Sequence, residues 1–307
     1  MDNQMSGAHM ASEEASLRAL SQADRTAFSS ALLTFLDQLE PLIRRGFGEE
    51  LAGSRAERLA KGVFPSESQG PYPGRNALET VLFATLAGID HSRLLARSLL
   101  HEDAAFSIAT LARGAVEAYA RAWWMLEPKE DEELVVRWLS ALASELETFA
   151  RIRPNAVLHE MRGRNSNAAT QHVGVLDDIE RLTGSRTPRK LSYTALAASL
   201  ADQWKANGRV VYSDLSGVAH GESLGIHSFV EADDDAAAYR VGLSARWGLM
   251  GTQWALSAST FVGRDVLKML GTELPSSHPC VVAHNAAAQV LASARLRIIG
   301  SGTAPAA

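Results

Sequence analysis

The chain has 307 residues, of which 46% are hydrophobic, so it is long and apolar enough to bury a sizeable core. Its formal net charge of -5 argues against general electrostatic binding of nucleic acids or anionic membranes, and leaves room only for a local basic groove. The single cysteine, Cys280, excludes an intramolecular disulfide and a cluster of thiolate metal ligands, and it favours a cytoplasmic location.

The first part of the chain predicts a helical extension over residues 1–62. Its first residues lack the basic start and continuous apolar stretch of a signal peptide, so export is not expected. After Ser21, apolar residues recur at helical spacing, at Phe28, Leu32, Phe35, Leu36 and Leu39. Pro41 is expected to kink or end this helix. The Pro-, Gly- and Ser-rich stretch VFPSESQGPYPGR then marks the boundary to the main domain.

The main domain is predicted over residues 76–299, and it starts with three long helices. Their sequences are ALETVLFATLAGIDHSRLLARSLLH, EDAAFSIATLARGAVEAYARAWWMLEP and EDEELVVRWLSALASELETFARIRP. The second is apolar nearly all round, which is typical of a helix in the centre of a bundle. It is long enough to cross a bilayer, but Arg113, Glu117 and Arg121 lie in its middle, so no membrane span is expected.

The second half of the chain predicts a polar connection followed by further helices. Residues 154–192 are rich in Arg, Asn, Thr and Gly, and form either a mobile lid or a simple connection. Four more helices are predicted, at 193–206, 209–219, 244–270 and 279–298. Apolar alternation around an Asp cluster predicts a small β-hairpin near residues 226–243. The predicted fold class is therefore all-α, a helical bundle with a small β-hairpin insertion and a flexible tail at 300–307.

A stripe of charged residues lies on the second, otherwise apolar helix. Arg113, Glu117 and Arg121 are spaced by four and share one face, which Trp124 continues. Two interpretations stay open, a ladder of salt bridges on a solvent-exposed strip or one wall of a cleft. In a cleft, Glu117 would be a general base or would orient a histidine. The two arginines would bind a phosphate or a carboxylate.

The stretch YSDLSGVAHGE, residues 212–222, carries a second group of polar side chains. Tyr212, Ser216 and His220 are spaced by four along a predicted helix, and Ser213 lies on their flank. His220 is either a capping or core histidine or the proton-transferring group of a site. No Gly-x-Ser-x-Gly elbow, His-Glu-x-x-His motif or nucleotide-cofactor fingerprint appears. The sequence therefore predicts neither a serine hydrolase nor a bound metal or cofactor.

The stretches ATLARGAVEAYARAWWMLEP and YSDLSGVAHGE resemble segments of the all-helical HEPN superfamily, over roughly residues 76–271. The resemblance implies a helical bundle, often dimeric, and many members act as metal-independent ribonucleases or in RNA-linked defence and stress responses. In active HEPN ribonucleases a short polar spacer separates an arginine from the catalytic histidine. Here ten residues separate Arg209 from His220, so the nuclease motif is not reproduced. Arg113 or Arg121 would have to approach His220 in space instead.

These observations predict an enzyme that acts on an anionic, RNA-derived substrate, either ribonuclease-like or by transfer from an aminoacyl-tRNA. The proton-transferring group is His220, oriented or assisted by Glu117. The predicted substrate-binding residues are Arg113, Arg121, Tyr212, Ser213, Ser216 and Trp124. The predicted partners are RNA or tRNA, a small anionic substrate and a second copy in a homodimer. Two alternatives stay open, a small-molecule biosynthetic enzyme and a noncatalytic helical module that dimerises or binds a protein.

Overall fold

The structure is a computed structural model. It describes residues 19–46, 52–153, 157–159, 165–190, 192–204, 206–233 and 238–300. Across these ranges the chain is mostly helical, which confirms the predicted all-α class. The helices are α1 (Gln22–Arg45), α2 (Arg55–Lys61), α3 (Pro73–Ser98), α4 (Phe106–Leu126), α5 (Asp131–Ile152), α6 (Ala168–Thr183), α7 (Tyr193–Asp202), α8 (Gly208–Ala219), α9 (Ser223–His227), α10 (Ala245–Met269) and α11 (Pro279–Gly300).

Short strands form two antiparallel pairs beside the helices. Strand β1 (Val157–His159) pairs with β2 (Asn165–Asn167) immediately before α6. Strand β3 (Val230–Asp233) pairs with β4 (Ala238–Val241), within the segment 226–243, and Val230 lies opposite Val241. These pairs are too short to form a layer of their own, so the architecture is that of helices packed on helices.

Local signals explain where several helices begin and end. The side chains of Ser21, Ser192 and Ser244 each accept a hydrogen bond from a backbone N–H of the first turn that follows. Helix α3 begins with Pro73, three residues before the predicted start, because proline fits the first helical turn. Pro41 does not end α1, which continues to Arg45. Burial of Ile43 in this last turn helps to offset the hydrogen bond that proline removes.

Helix α4 lies in the centre of the bundle, as its apolar surface predicts. It packs against α3, α5, α7, α8 and α10. Tyr119, in its middle, is fully buried, and Gly88 of α3 leaves room for its ring, since an added Cβ would lie 2.7 Å from it. In the described part of the chain, no helix combines the length and apolarity needed to cross a membrane.

The N-terminal helices belong to the same apolar core. Helix α1 packs against α3, α10 and α11, and Phe28 and Leu36 are fully buried there. The proposed boundary at residue 62 stays a prediction about independent folding, which packing alone does not test. The predicted tail, 300–307, lies outside the described residues except for Gly300, the last residue of α11.

Candidate functional site

The position of α8 against the rest of the bundle depends on a close approach to α7. Asn207 caps α8 by accepting a hydrogen bond from the backbone N–H of Val210 at 3.3 Å. At the next position, Gly208, an added Cβ would lie 1.9 Å from the carbonyl oxygen of Ala198. Only glycine allows this crossing. Helix α8 then packs on α4 as well as on α7, and its Leu215 is fully buried.

Four of the predicted site residues meet between α4 and α8. Arg113 donates from Nε to Glu117 Oε1 at 2.8 Å and from Nη2 to Tyr212 Oη at 3.1 Å. Its Nη1 lies 2.9 Å from His220 Nε2. The Tyr212 hydroxyl donates in turn to Glu117 Oε1 at 2.7 Å. We call these four residues the Arg113 cluster. The faces of α4 and α8 that carry these side chains therefore meet, and the i,i+4 ion pair of the ladder interpretation is present as well, so the choice between ladder and cleft stays a prediction.

The contact with Arg113 fixes the proton position on His220. A guanidinium group has donors but no acceptor, so His220 Nε2 must accept this hydrogen bond. The tautomer that fits this contact has its N–H at Nδ1.

The Arg113–Glu117 ion pair is partly shielded from water. The two side chains are 19% and 29% exposed, and the Arg113 guanidinium also lies 5.4 Å from the centroid of the Tyr212 ring. Burial lowers the pKa of Arg113, but the hydrogen bond and negative charge of Glu117, with a contribution from Tyr212, outweigh it and raise the pKa above its ordinary value. Arg113 therefore stays cationic in the assembled cluster.

Arg121 is not part of the Arg113 cluster. Its guanidinium forms an ion pair with Glu145 of α5. Together with Glu117, it lines a neighbouring cavity of about 520 Å³ between α3, α4 and the start of α7. Glu117 therefore belongs to both places, since its Oε1 is part of the Arg113 cluster and the residue is among those that line the cavity.

The side chains of the other three predicted site residues make no described hydrogen bond to these groups. Trp124 is buried, and the Arg137 guanidinium of α5 lies 5.3 Å from its ring centroid, so Trp124 packs with α5. Ser213 is exposed and Ser216 is half-buried. The backbone carbonyl of Ser216 accepts from the N–H of His220 at 2.9 Å, in the ordinary pattern of a helix end. A role of the two hydroxyls in substrate binding stays a prediction.

His91, which was not among the predicted site residues, also lines the cavity. Its ring lies over Gly114, where an added Cβ would be 3.2 Å from Nδ1. That nitrogen is buried and has no hydrogen-bond partner in the described residues. A glycine in the middle of a helix lowers the stability of that helix. Gly114 therefore indicates, from the sequence alone, that another group packs closely beside the charged stripe.

Side chains with metal-ligand chemistry are scattered in the described ranges, where no three His, Cys, Asp or Glu residues lie close enough to hold an ion. No protein-family model matches the chain, and neither the curated proteins nor the solved structures contain a significant match. The resemblance to the HEPN superfamily therefore rests on the two quoted stretches alone.

Proposed function

We propose that the protein is an enzyme that performs acid–base chemistry, without a metal, on an anionic, RNA-derived substrate at the Arg113 cluster. The observation that carries this proposal is the single guanidinium that contacts Glu117, Tyr212 and His220 together. A cation, a proton acceptor and a hydroxyl then lie within reach of one bound group, as general acid–base catalysis requires.

In this mechanism a substrate phosphate binds to Arg113 and takes over the hydrogen bond from Nη1. His220 Nε2 is then free to accept the proton of an attacking hydroxyl group. For RNA cleavage, the 2′-oxygen loses its proton to Nε2 and attacks the adjacent phosphorus, and the bond to the 5′-oxygen breaks. The 5′-oxygen takes a proton from water. Glu117 and Tyr212 hold the arginine in place through Nε and Nη2.

RNA cleavage by matched histidine variants tests this proposal. The full-length protein is incubated with end-labelled single-stranded RNA, and the rate is compared with that of His220→Ala. We expect a fall of at least about 100-fold, since the variant lacks the proton acceptor. The control is His101→Ala, which removes an exposed histidine from the connection between α3 and α4 and should cleave at the original rate. Activity that survives both His220→Ala and Glu117→Gln in folded protein would falsify the proposal.

Salt dependence separates RNA-derived substrates from small acids. Binding of RNA releases counterions, so its affinity should fall steeply between low and physiological salt. A small carboxylic acid that contacts Arg113 would show a much weaker dependence. If the RNA is bound but not cut, transfer from an aminoacyl-tRNA becomes the assay of choice, measured as loss of the labelled aminoacyl group.

A noncatalytic module is favoured by one specific feature. Every nitrogen of the Arg113 guanidinium already has a partner inside the chain, as in a purely structural clasp between two helices. This alternative predicts that His220→Ala lowers stability and has no activity to lose.

The predicted homodimer, the HEPN-like character and the cytoplasmic location belong to the same proposal. Light scattering of the purified chain tests the dimer, with twice the monomer mass of 33.0 kDa as the expected result.

A further inference from the structure

The cavity beside the Arg113 cluster is open to solvent, and two of its lining side chains, Phe83 and Tyr193, are exposed. Its volume of about 520 Å³ falls within the usual range for ligand pockets. It opens between α3, α4 and the first residue of α7. Most of the lining is apolar or small, and the carboxylate and the guanidinium of the lining both belong to α4. The lining residues are Thr80, Phe83, Ala84, Ala87, His91, Gly114, Glu117, Ala118, Arg121 and Tyr193.

Two opposite charges lie on this wall without pairing with each other. Glu117 precedes Arg121 by four residues, which is the favoured order for an ion pair on a helix. In the described structure, however, Glu117 pairs with Arg113 and Arg121 pairs with Glu145. Both residues nevertheless line the same cavity.

Both groups keep hydrogen-bonding capacity. Glu117 uses Oε1 for both of its described hydrogen bonds, so Oε2 still has room for a donor. Arg121 Nε is buried and has no hydrogen-bond partner among the described residues, and the same is true of His91 Nδ1. Buried polar nitrogens without partners are uncommon in folded proteins. Both nitrogens belong to residues that line the cavity, so this part of the chain holds polar groups that its own residues leave unsatisfied.

We infer that this cavity binds a free amino acid with an apolar side chain. The ammonium group would donate to Glu117 Oε2, and the carboxylate would accept from Arg121 and His91. The side chain would pack against the small and aromatic residues of the α3 wall. A zwitterion fits better than a simple anion or cation, because it satisfies both charged groups at once. The inference goes beyond the proposed function, since it requires binding only and holds whether or not His220 transfers a proton.

Calorimetric titration of the full-length protein tests the ligand class. The probes are L-leucine, L-methionine and L-phenylalanine, and the matched controls are phenylacetate, which lacks the ammonium group, and phenethylamine, which lacks the carboxylate. At least one amino acid should bind, and removing either charged group from L-phenylalanine should weaken binding by about tenfold or more. Equal affinities for phenylalanine and its two analogues would overturn the inference. So would the absence of binding by all three amino acids up to about 10 mM.

Variants then place the ligand in this cavity. Arg121→Gln and Glu117→Gln should each weaken binding by about tenfold or more, because each removes one charged partner. Ala87→Phe keeps both charges but fills the space, and should abolish binding. Arg264→Gln, an exposed arginine on α10, is the control and should bind as the wild type does. Unchanged affinity in the folded Ala87→Phe protein contradicts the inference.

The same titration separates this inference from the proposed function. His220 does not line the cavity, so His220→Ala should bind the amino acid as the wild type does. Loss of RNA cleavage in this variant, with unchanged amino-acid affinity, would support both statements. Wild-type cleavage of RNA without amino-acid binding would remove the inference and leave the proposed function intact.

Discussion

Two carboxylates in this protein receive hydrogen bonds from a neighbouring segment, and they differ in how many acceptor positions are used. Asp178 of α6 is fully buried. It accepts from the hydroxyl of Ser66 at 2.8 Å and from the backbone N–H groups of Glu67 and Ser68 at 2.9 and 3.1 Å, and it pairs with Arg181 at 2.9 Å. Both oxygens are used, as a buried charge requires. Asp178 therefore fastens the loop before α3 to α6.

Glu117 shows the opposite arrangement. It is 29% exposed, and its described hydrogen bonds both go to Oε1, whereas the carboxylate also lines a cavity. A group of this kind can exchange partners at low cost, because water or a ligand reaches its remaining oxygen. The two residues differ in how many carboxylate oxygens accept hydrogen bonds, both in Asp178 and one in Glu117. We expect this difference to separate a carboxylate that holds two segments together from one that can still bind a ligand.

The largest expected effect comes from Asp178→Asn. The amide nitrogen replaces one of the two accepting oxygens and faces at least one backbone N–H group, which is itself a donor, so the free energy of unfolding should fall by about 2–4 kcal/mol. Urea unfolding measures this loss. The matched control is Asp177→Asn, which removes an exposed pair with Arg186 and should cost less than about 1 kcal/mol. Equal losses of unfolding free energy at the two positions would show that burial and full hydrogen bonding do not distinguish Asp178 from an exposed aspartate.

Tyr212→Phe should have a smaller effect on stability. The ring stays packed, but the hydroxyl that accepts from Arg113 and donates to Glu117 is lost. The free energy of unfolding should therefore fall by about 1 kcal/mol. Thermal and urea unfolding report the change. Tyr72→Phe, at an exposed tyrosine that makes no capping hydrogen bond at the start of α3, should leave stability unchanged. A loss above about 3 kcal/mol would show that the Arg113 cluster is a structural clasp.

Glu117→Gln tests whether this second carboxylate contributes less to stability than Asp178 does. Because this carboxylate is partly exposed and the amide oxygen can still accept from Arg113, the free energy of unfolding should change by less than about 1 kcal/mol. Binding and turnover should nevertheless fall. The control, Glu147→Gln on the exposed side of α5, should change neither quantity. Destabilisation as large as that of Asp178→Asn would show that Glu117 stabilises the fold as Asp178 does.

The smallest expected effect is a gain, at Asp214 of α8. Burial raises the pKa of Asp214, and the charge of Arg246 only partly opposes this. Because its pKa is raised in the folded protein, the ionised form is disfavoured by folding, and the penalty is present above the folded pKa. Asp214→Asn should therefore increase the free energy of unfolding at pH 7, by less than about 1 kcal/mol.

The gain at Asp214 should shrink as the pH falls through the raised pKa towards the ordinary aspartate value, where both states are protonated. Urea unfolding at a series of pH values measures it. A gain that grows towards low pH would contradict the direction of the shift.

Helical periodicity predicted most of the fold because it is a local property. The predicted helices at 244–270 and 279–298 lie within two residues of α10 and α11 at each end. Helix α6 was missed inside the polar connection 154–192 because its buried face is sparse and includes Asp178 beside Val175 and Ile179. In a sequence, an aspartate within a sparse apolar pattern favours a loop. Its burial in a helix is explained only by hydrogen-bond partners distant in the chain, here at residues 66–68.

Which polar side chains share a helix face follows from their spacing along the chain. Spacing by four puts Arg113 and Glu117 on one side of α4, and Tyr212 and His220 on one side of α8, because helical geometry repeats locally. The contact between these two faces, and the pairing of Arg121 with Glu145 instead, follow from the packing of the helices. These pairings depend on how α4 packs among five other helices. This packing is determined by contacts between residues far apart in the chain.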